Sequence, residues 1–391
     1  MKRVYLDNAA TTPMKNEVIK VMINSLKYSF GNPSSIQHSD GRKSRSLIEE
    51  SRIFIANCIN AFPEEIIFTS GGTEANNMIL RSSVFDLGVE HIITSKLEHL
   101  SVLQPIHDLS YKHKISIHFV QFNSQGVHDI NHVEFLLKKY KQKKMMVSLM
   151  YANNEIGNIL EVNNISFLCK KYNAYFHSDT IQFIGNYPLD IKKLSFDFAT
   201  ASAHKFYGPK GIGFVFIKKS LLVKIKGSIL GGLQEKGLRS GTENISGIAG
   251  ISEAFRLFQT NHFHHIDQLK KLKKYCIQQL IKMNKNILFN GLSDHYEKSI
   301  PSIINFLFPV KKIDNLFYFR LDLMGISVSN GSSCNSGNTK EISHVIRSIV
   351  KNSILKKTMP IRISFGIFNK NEDIDMLIHS LNEIGKYKNI L

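Results

Sequence analysis

The sequence predicts an α/β fold, with a large domain on a mainly parallel sheet and a smaller α+β domain after it. Two observations carry the prediction. From about residue 44 to 255, helical and strand-like stretches alternate, the pattern of a sheet whose strands are joined through helices. Beyond 255 the alternation stops. A long, basic amphipathic helix is followed by strand-like segments around 302–308 and 361–365 and by a closing helix. With 391 residues the chain is long enough for more than one core. The expected division is a large domain over 16–255, with 1–15 and 256–391 forming the small one.

Within the first section each element has its own signal. Leu47, Ile48, Phe54, Ile55, Cys58 and Ile59 recur at helical spacing, which predicts a helix over 44–61 and a buried face carrying Cys58. A strand over 65–69 leads into the turn Ser70-Gly71-Gly72-Thr73, which opens a helix over 74–82. Strands are predicted at 91–94, 115–120, 145–150, 175–178, 197–201 and 213–217.

Hydrophobic content of 43% and charged content of 21% suit a soluble globular protein. No apolar run approaches the length of a membrane span, and Met1 to Asp7 lacks a signal-peptide core, so a cytoplasmic protein is expected. The net charge of +18 raises nucleic acid as a partner. The lysines are scattered in pairs such as Lys170-Lys171 and Lys218-Lys219 and in the run 270–274, on polar faces or at element ends. No nucleic-acid motif accompanies them. The basic surface is read as compositional, and direct nucleic-acid binding is not expected.

Four cysteines show no paired spacing for a metal. Cys58, Cys169 and Cys276 fall in helical apolar patterns that bury them. Cys334 lies in the polar, glycine-containing stretch 329–341, where an exposed thiol is a candidate nucleophile.

Lys205 sits between two predicted strands in Ser202-Ala-His204-Lys205, ahead of Gly208-Pro. A lysine there can form an imine with an aldehyde cofactor, with Ser202 and His204 on that cofactor's phosphate. A solvated turn lysine is the plain alternative. Gly72 and Thr73, at a helix start, suit an anion or an ordinary helix cap. Asp179, at a strand's carboxyl end, can pair with a pyridinium nitrogen or cap a helix, and Gln182 can reach the ring's phenolic oxygen. His99 can stack on a cofactor face and exchange protons, or be structural. Arg239 and Arg362 each offer a fork to a carboxylate or to a surface ion pair.

Six blocks then bear a resemblance. They are Tyr5-Leu-Asp-Asn-Ala-Ala-Thr-Thr-Pro13, Phe30-Gly-Asn-Pro-Ser-Ser35, Phe68-Thr-Ser-Gly-Gly-Thr-Glu-Ala-Asn-Asn77, Ala152-Asn-Asn-Glu-Ile-Gly157, the Lys205 block, and Gly237-Leu-Arg-Ser-Gly-Thr-Glu-Asn244. In this order, over almost the whole chain, they resemble the cysteine desulfurases of the NifS/IscS group, class V pyridoxal-phosphate enzymes.

The resemblance implies a fold-type-I homodimer with pyridoxal 5'-phosphate at the subunit interface. It implies that Lys205 is the Schiff-base lysine, Asp179 the pyridinium partner, Gln182 the ligand of the ring oxygen and His99 the stacking histidine. Gly72, Thr73, Ser202 and His204 become the phosphate cradle, joined by Thr242 of the other subunit. Asn154 and Arg362, with Arg239 nearby, become the substrate-carboxylate contacts, and Cys334 the persulfide-forming cysteine. The implied activity converts L-cysteine to L-alanine and passes sulfur to an acceptor protein, for iron–sulfur clusters or tRNA thiolation. A selenocysteine lyase is the alternative within the class. Leu233 and Leu100 depart from the family pattern, and Leu233 is expected to alter the subunit contact near Thr242.

Overall fold

The computed structural model describes residues 3–331 and 342–387. A short strand β1 (Val4–Tyr5) precedes a seven-stranded sheet. That sheet is built from β2 (Ile66–Thr69), β3 (His91–Thr94), β4 (Ser116–Phe119), β5 (Met145–Ser148), β6 (Tyr175–Asp179), β7 (Phe198–Ser202) and β8 (Gly213–Ile217). Their spatial order is β2-β8-β7-β6-β5-β3-β4. β8 runs antiparallel to both its neighbours, and the pairs from β7 to β4 are parallel.

Every residue of β2, β5, β7 and β8 is buried, as expected of a sheet covered by helices on both faces. Alternate side chains feed two cores. Phe68, Val147, Phe176, Ala199 and Phe214 enter one, whereas Ile67, Met146, Phe198 and Val215 enter the other. The strand positions follow the sequence expectations to within a few residues. Loops leaving the carboxyl ends of β2, β3, β5, β6 and β7 meet along one edge of the sheet, where β8 begins with Gly213 opposite both Thr69 and Ser202.

The helix Ile245–Met283 starts ten residues earlier than the pattern suggested, because Asn244 Oδ1 accepts from Gly247 N at 3.0 Å and caps it. Its 39 residues reach from the first core, through Ile248, Ile251 and Phe255, to a second core containing Leu269, Leu272, Cys276 and Leu280. That second core rests on an antiparallel sheet of β9 (Leu288–Phe289), β10 (Ile303–Pro309) and β12 (Thr358–Ser364), with β11 (Ile326–Ser327) paired to β1. Val4 and Leu6 pack into it, so the chain's first strand joins its last third. No helix among the described residues is long and apolar enough to cross a membrane.

Two expectations need correction. Lys273 is not on a polar face but fully buried, because it lies one turn from Leu269 and Cys276. Its ammonium donates to Ser299 Oγ at 2.6 Å and Ile300 O at 3.0 Å, and burial pulls its pKa down to about 7. Cys58 is only half-buried, at the last position of the helix Ser39–Cys58. Cys169 and Cys276 are buried as expected.

A buried ion pair ties the first core to the segment leading to Thr242. Arg52 Nη1 and Nη2 donate to Glu235 Oε2 and Oε1 at 2.8 and 2.7 Å, and Phe68 N donates to the same carboxylate at 2.8 Å. Glu235 and Lys236 hold left-handed φ of 46° and 60°, so the pair also secures an unfavourable turn. Removing Glu235 takes away the bidentate partner and leaves Arg52 with Glu49 at 3.1 Å and Ile66 O at 2.7 Å. Glu235→Ala is expected to lower unfolding stability by about 1.5–3 kcal/mol in denaturant titration, the range for a lost hydrogen bond to a charged group; an unchanged midpoint contradicts this role.

Candidate active site

The carboxyl edge of the sheet surrounds a cavity of about 290 Å³. Gly72 and Thr73 reach it from beyond β2, His99 from β3, Met150 and Asn154 from β5, Asp179 and Gln182 from β6, and Ser202, His204 and Lys205 from β7. Arg362 enters from β12, on the side of the second core, and Ala9 and Ala10 close the wall.

Lys205 ends a single 3-10 turn, Ala203–Lys205, directly after β7. Thr12 holds that turn: its N and Oγ1 both donate to His204 O, and its hydroxyl accepts from Tyr207 N at 2.7 Å. Tyr207 takes a left-handed φ of 68° to turn the chain away. The Lys205 ammonium donates to Ala9 O at 2.6 Å and Ala10 O at 2.8 Å, and Gln182 Nε2 also donates to Ala9 O. The amino-terminal segment is therefore part of the site. The sequence marked it as a family block but gave it no role.

A second residue without an expected role organises the opposite wall. Asn76 is fully buried. Its Nδ2 donates to Asp179 Oδ2 at 2.8 Å and to Ser101 Oγ at 2.9 Å, while Oδ1 accepts from Thr200 Oγ1 at 3.0 Å. Ser101 N donates to His99 Nδ1 at 3.1 Å, and the Ser101 hydroxyl lies 2.8 Å from the same nitrogen. Because Nδ1 accepts, donor count places the His99 proton on Nε2. Asp179 Oδ1 also accepts from Ile181 N at 3.0 Å. The buried Asp179 carboxylate and the His99 ring thus hang on one amide.

The anion end has the chemistry a phosphate needs. The helix Gly72–Phe85 begins at Gly71 with no side-chain cap, so its first amides open into the cavity. A Cβ at Gly72 would stand 2.0 Å from Ile181 Cδ1, so a larger residue there would require that side chain to shift. His204 Nδ1 is buried without a hydrogen-bond partner among the described residues. Burial, with Lys205 and Lys210 adding to it, pulls that imidazole down to about 4. An orphaned ring nitrogen, two hydroxyls and an uncapped helix fit a phosphate group, and Lys205 and Asp179 fit the aldehyde and ring nitrogen of pyridoxal phosphate.

At the other end Arg362, 1% exposed, donates from Nη2 to Asp7 Oδ1 at 2.8 Å and from Nη1 to Asn154 O at 2.9 Å. Its Nε is buried without a partner among the described residues, a donor left for a carboxylate. Glu98, next to His99, is buried too; burial and the charge of Asp179 push its carboxyl well above the usual range. Arg239 does not reach the cavity, because Glu74 holds it in an ion pair at 2.9 Å. Thr242 is exposed and outside the cavity. Cys334 lies outside the described residues. Burial pushes the Cys58 thiol to about 11 and raises those of Cys169 and Cys276, so none of these three is a ready thiolate.

The family described as Aminotransferase class-V matches residues 4–377. The chain is 40% identical to the cysteine desulfurase IscS of Dictyoglomus turgidum, over 99% of this chain and 98% of that one. It is 38% identical to the putative cysteine desulfurase IscS 1 of Bacillus subtilis, over 96% of each. Among solved structures, one titled NIFS-LIKE PROTEIN superposes with a TM-score of 0.88 at 33% identity, covering 98% of this chain and 100% of the other.

The cradle makes a prediction that needs no turnover. In cofactor-free protein the His204 ring should titrate near 4, neutral across the physiological range. Saturating inorganic phosphate favours the imidazolium and should raise that midpoint by at least about one unit, read by NMR. A midpoint indifferent to phosphate contradicts the cradle.

Proposed function

The chain belongs to the class-V aminotransferases and, within them, to the cysteine desulfurases, and we propose that the cavity on Lys205 is where it converts L-cysteine to L-alanine. The enzyme is pyridoxal-phosphate dependent. One observation carries the assignment of residues: Gly72, Thr73, His99, Asn154, Asp179, Gln182, Ser202, His204, Lys205 and Arg362 line a single cavity.

Each takes a role from its surroundings. Pyridoxal phosphate, when bound, supplies the electron sink for the pair released at the substrate Cα. Lys205 Nζ would hold the cofactor and, once displaced by the substrate amine, would be the base for the Cα proton. Asp179, kept in place by Asn76 and Ile181 N, holds a proton on the ring nitrogen. Gln182 would serve the ring oxygen, and His99, with its proton on Nε2, would lie beside the bound ring and exchange protons there. Arg362 Nε, helped by Asn154, orients the substrate carboxylate. The substrate's C–S bond breaks, its sulfur bonds to Cys334 as a persulfide, and the three-carbon remainder leaves as alanine. The sulfur then passes to an acceptor protein, with iron–sulfur cluster assembly the use implied by the IscS relatives.

The working unit is a homodimer in which Thr242 completes the partner's phosphate cradle. Supporting it, Thr242 is exposed and its segment presents Leu230 and Leu233 at 85% and 88% exposure, apolar surface suited to burial against a second copy. Arg239, through Glu74, ties that segment to the helix start bearing Thr73. No observation favours selenocysteine over cysteine.

Borohydride treatment should fix the cofactor on Lys205 alone, and Lys205→Ala should abolish alanine release. Sulfur-labelled cysteine should mark wild-type protein at Cys334 and leave Cys334→Ala unlabelled. Trapping on another lysine, or label persisting in Cys334→Ala, sinks the assignment.

A further inference from the structure

Glu155 is fully buried, and among the described residues the Ser343 hydroxyl is the hydrogen-bonding neighbour of its carboxyl, at less than ideal geometry. Its backbone is held firmly. The amide donates to Asn153 Oδ1 at 2.9 Å, and the carbonyl accepts from Asn305 Nδ2 at 3.1 Å. A buried polar group left in this state is costly, so its surroundings give it a purpose.

Those surroundings come from four elements. Arg362 faces the carboxyl from β12, His99 from beyond β3, and Ser343 and His344 from the start of the helix His344–Ile349. Gly331 closes the remaining side. A Cβ built on it would stand 2.7 Å from Glu155 Oε2 and 2.9 Å from Ser343 Cβ, and its φ of 138° also favours glycine. Gly331 and Ser343 flank the stretch that holds Cys334, so its two ends meet at Glu155.

Each end is also tied to the active site. Ser329 exchanges backbone hydrogen bonds with Arg362 at 2.8 and 3.2 Å, and His344 Nε2 donates to Glu98 O at 2.9 Å, beside His99. Ser343 Oγ accepts from Val345 N at 3.0 Å and starts its helix.

We infer that Glu155 is a positioning residue for sulfur transfer, whose buried side chain seats both ends of the Cys334-bearing stretch against Arg362. The inference rests on the desulfurase reading above. Glu155 touches neither substrate nor cofactor; it fixes the points from which Cys334 must reach the substrate sulfur. Burial raises its carboxyl, against the Ser343 hydroxyl first and then the charges of Arg362, His344 and His99, so shape and hydrogen-bonding capacity matter more than charge. Glutamine can supply both.

The test uses the cofactor-loaded enzyme. In Glu155→Ala, cofactor content and the KM for cysteine should stay within about twofold of wild type, while single-turnover persulfide formation on Cys334 slows about tenfold or more. Glu155→Gln should recover most of that rate. A wild-type rate in Glu155→Ala overturns the inference, and so does a loss of cofactor in step with rate, which marks a merely structural residue. Glu155→Gln as slow as Glu155→Ala overturns it as well. Wild type that forms no persulfide on Cys334 overturns both this inference and the reading beneath it; a failure confined to the variants overturns the inference alone.

Discussion

The Asn76 amide is the interaction on which the rest of the site depends. A buried carboxylate is tolerable only when its lone pairs are met, and Asp179 meets one partner on its own turn, Ile181 N, and one across the sheet edge, Asn76 Nδ2. The same amide spends its second proton on Ser101, which fixes His99 Nδ1 as an acceptor, and its oxygen on Thr200 of β7. Each bond along the chain Asp179–Asn76–Ser101–His99 is thereby given a direction. A protonated imidazole or a turned carboxylate would break a bond rather than merely bend one. The parallel sheet makes this possible by delivering β3, β6, β7 and the helix after β2 to one edge.

The opposite wall is closed from a distance. Asp7, Ala9, Ala10 and Thr12 belong to the chain's beginning, yet they hold Arg362, the Lys205 ammonium and the turn behind it. Their neighbours Val4 and Leu6 pack in the second core. The amino-terminal segment therefore links Lys205 and Arg362 to the second core. Glu155 extends that logic to the ends of the Cys334 stretch.

What the sequence showed and what it hid divide along sequence separation. Ser202, His204 and Lys205 stand on one strand-to-turn passage, and Gly72 and Thr73 on another, so local pattern was enough to read them. Asn76 was within a recognised block, but its partners lie 25, 103 and 124 residues away, and nothing near it announces a hub. The Asp7–Arg362 pair spans 355 residues and left no local trace. Lys273 was legible in principle: it continues the apolar spacing of Leu269, Cys276 and Leu280, so the charge run concealed a buried member. Arg239 read as a carboxylate fork because its real partner, Glu74, arrives from 165 residues upstream.

The central claim is that Asp179 and His99 act as one unit through Asn76. A double-mutant cycle on kcat/KM with Asn76→Ala and His99→Ala tests it most directly, with cofactor content checked in each variant. The account predicts that the double variant loses less than the two single losses combined, by a coupling of at least about 1 kcal/mol. Strictly additive losses would mean that the two residues contribute independently, and would contradict it.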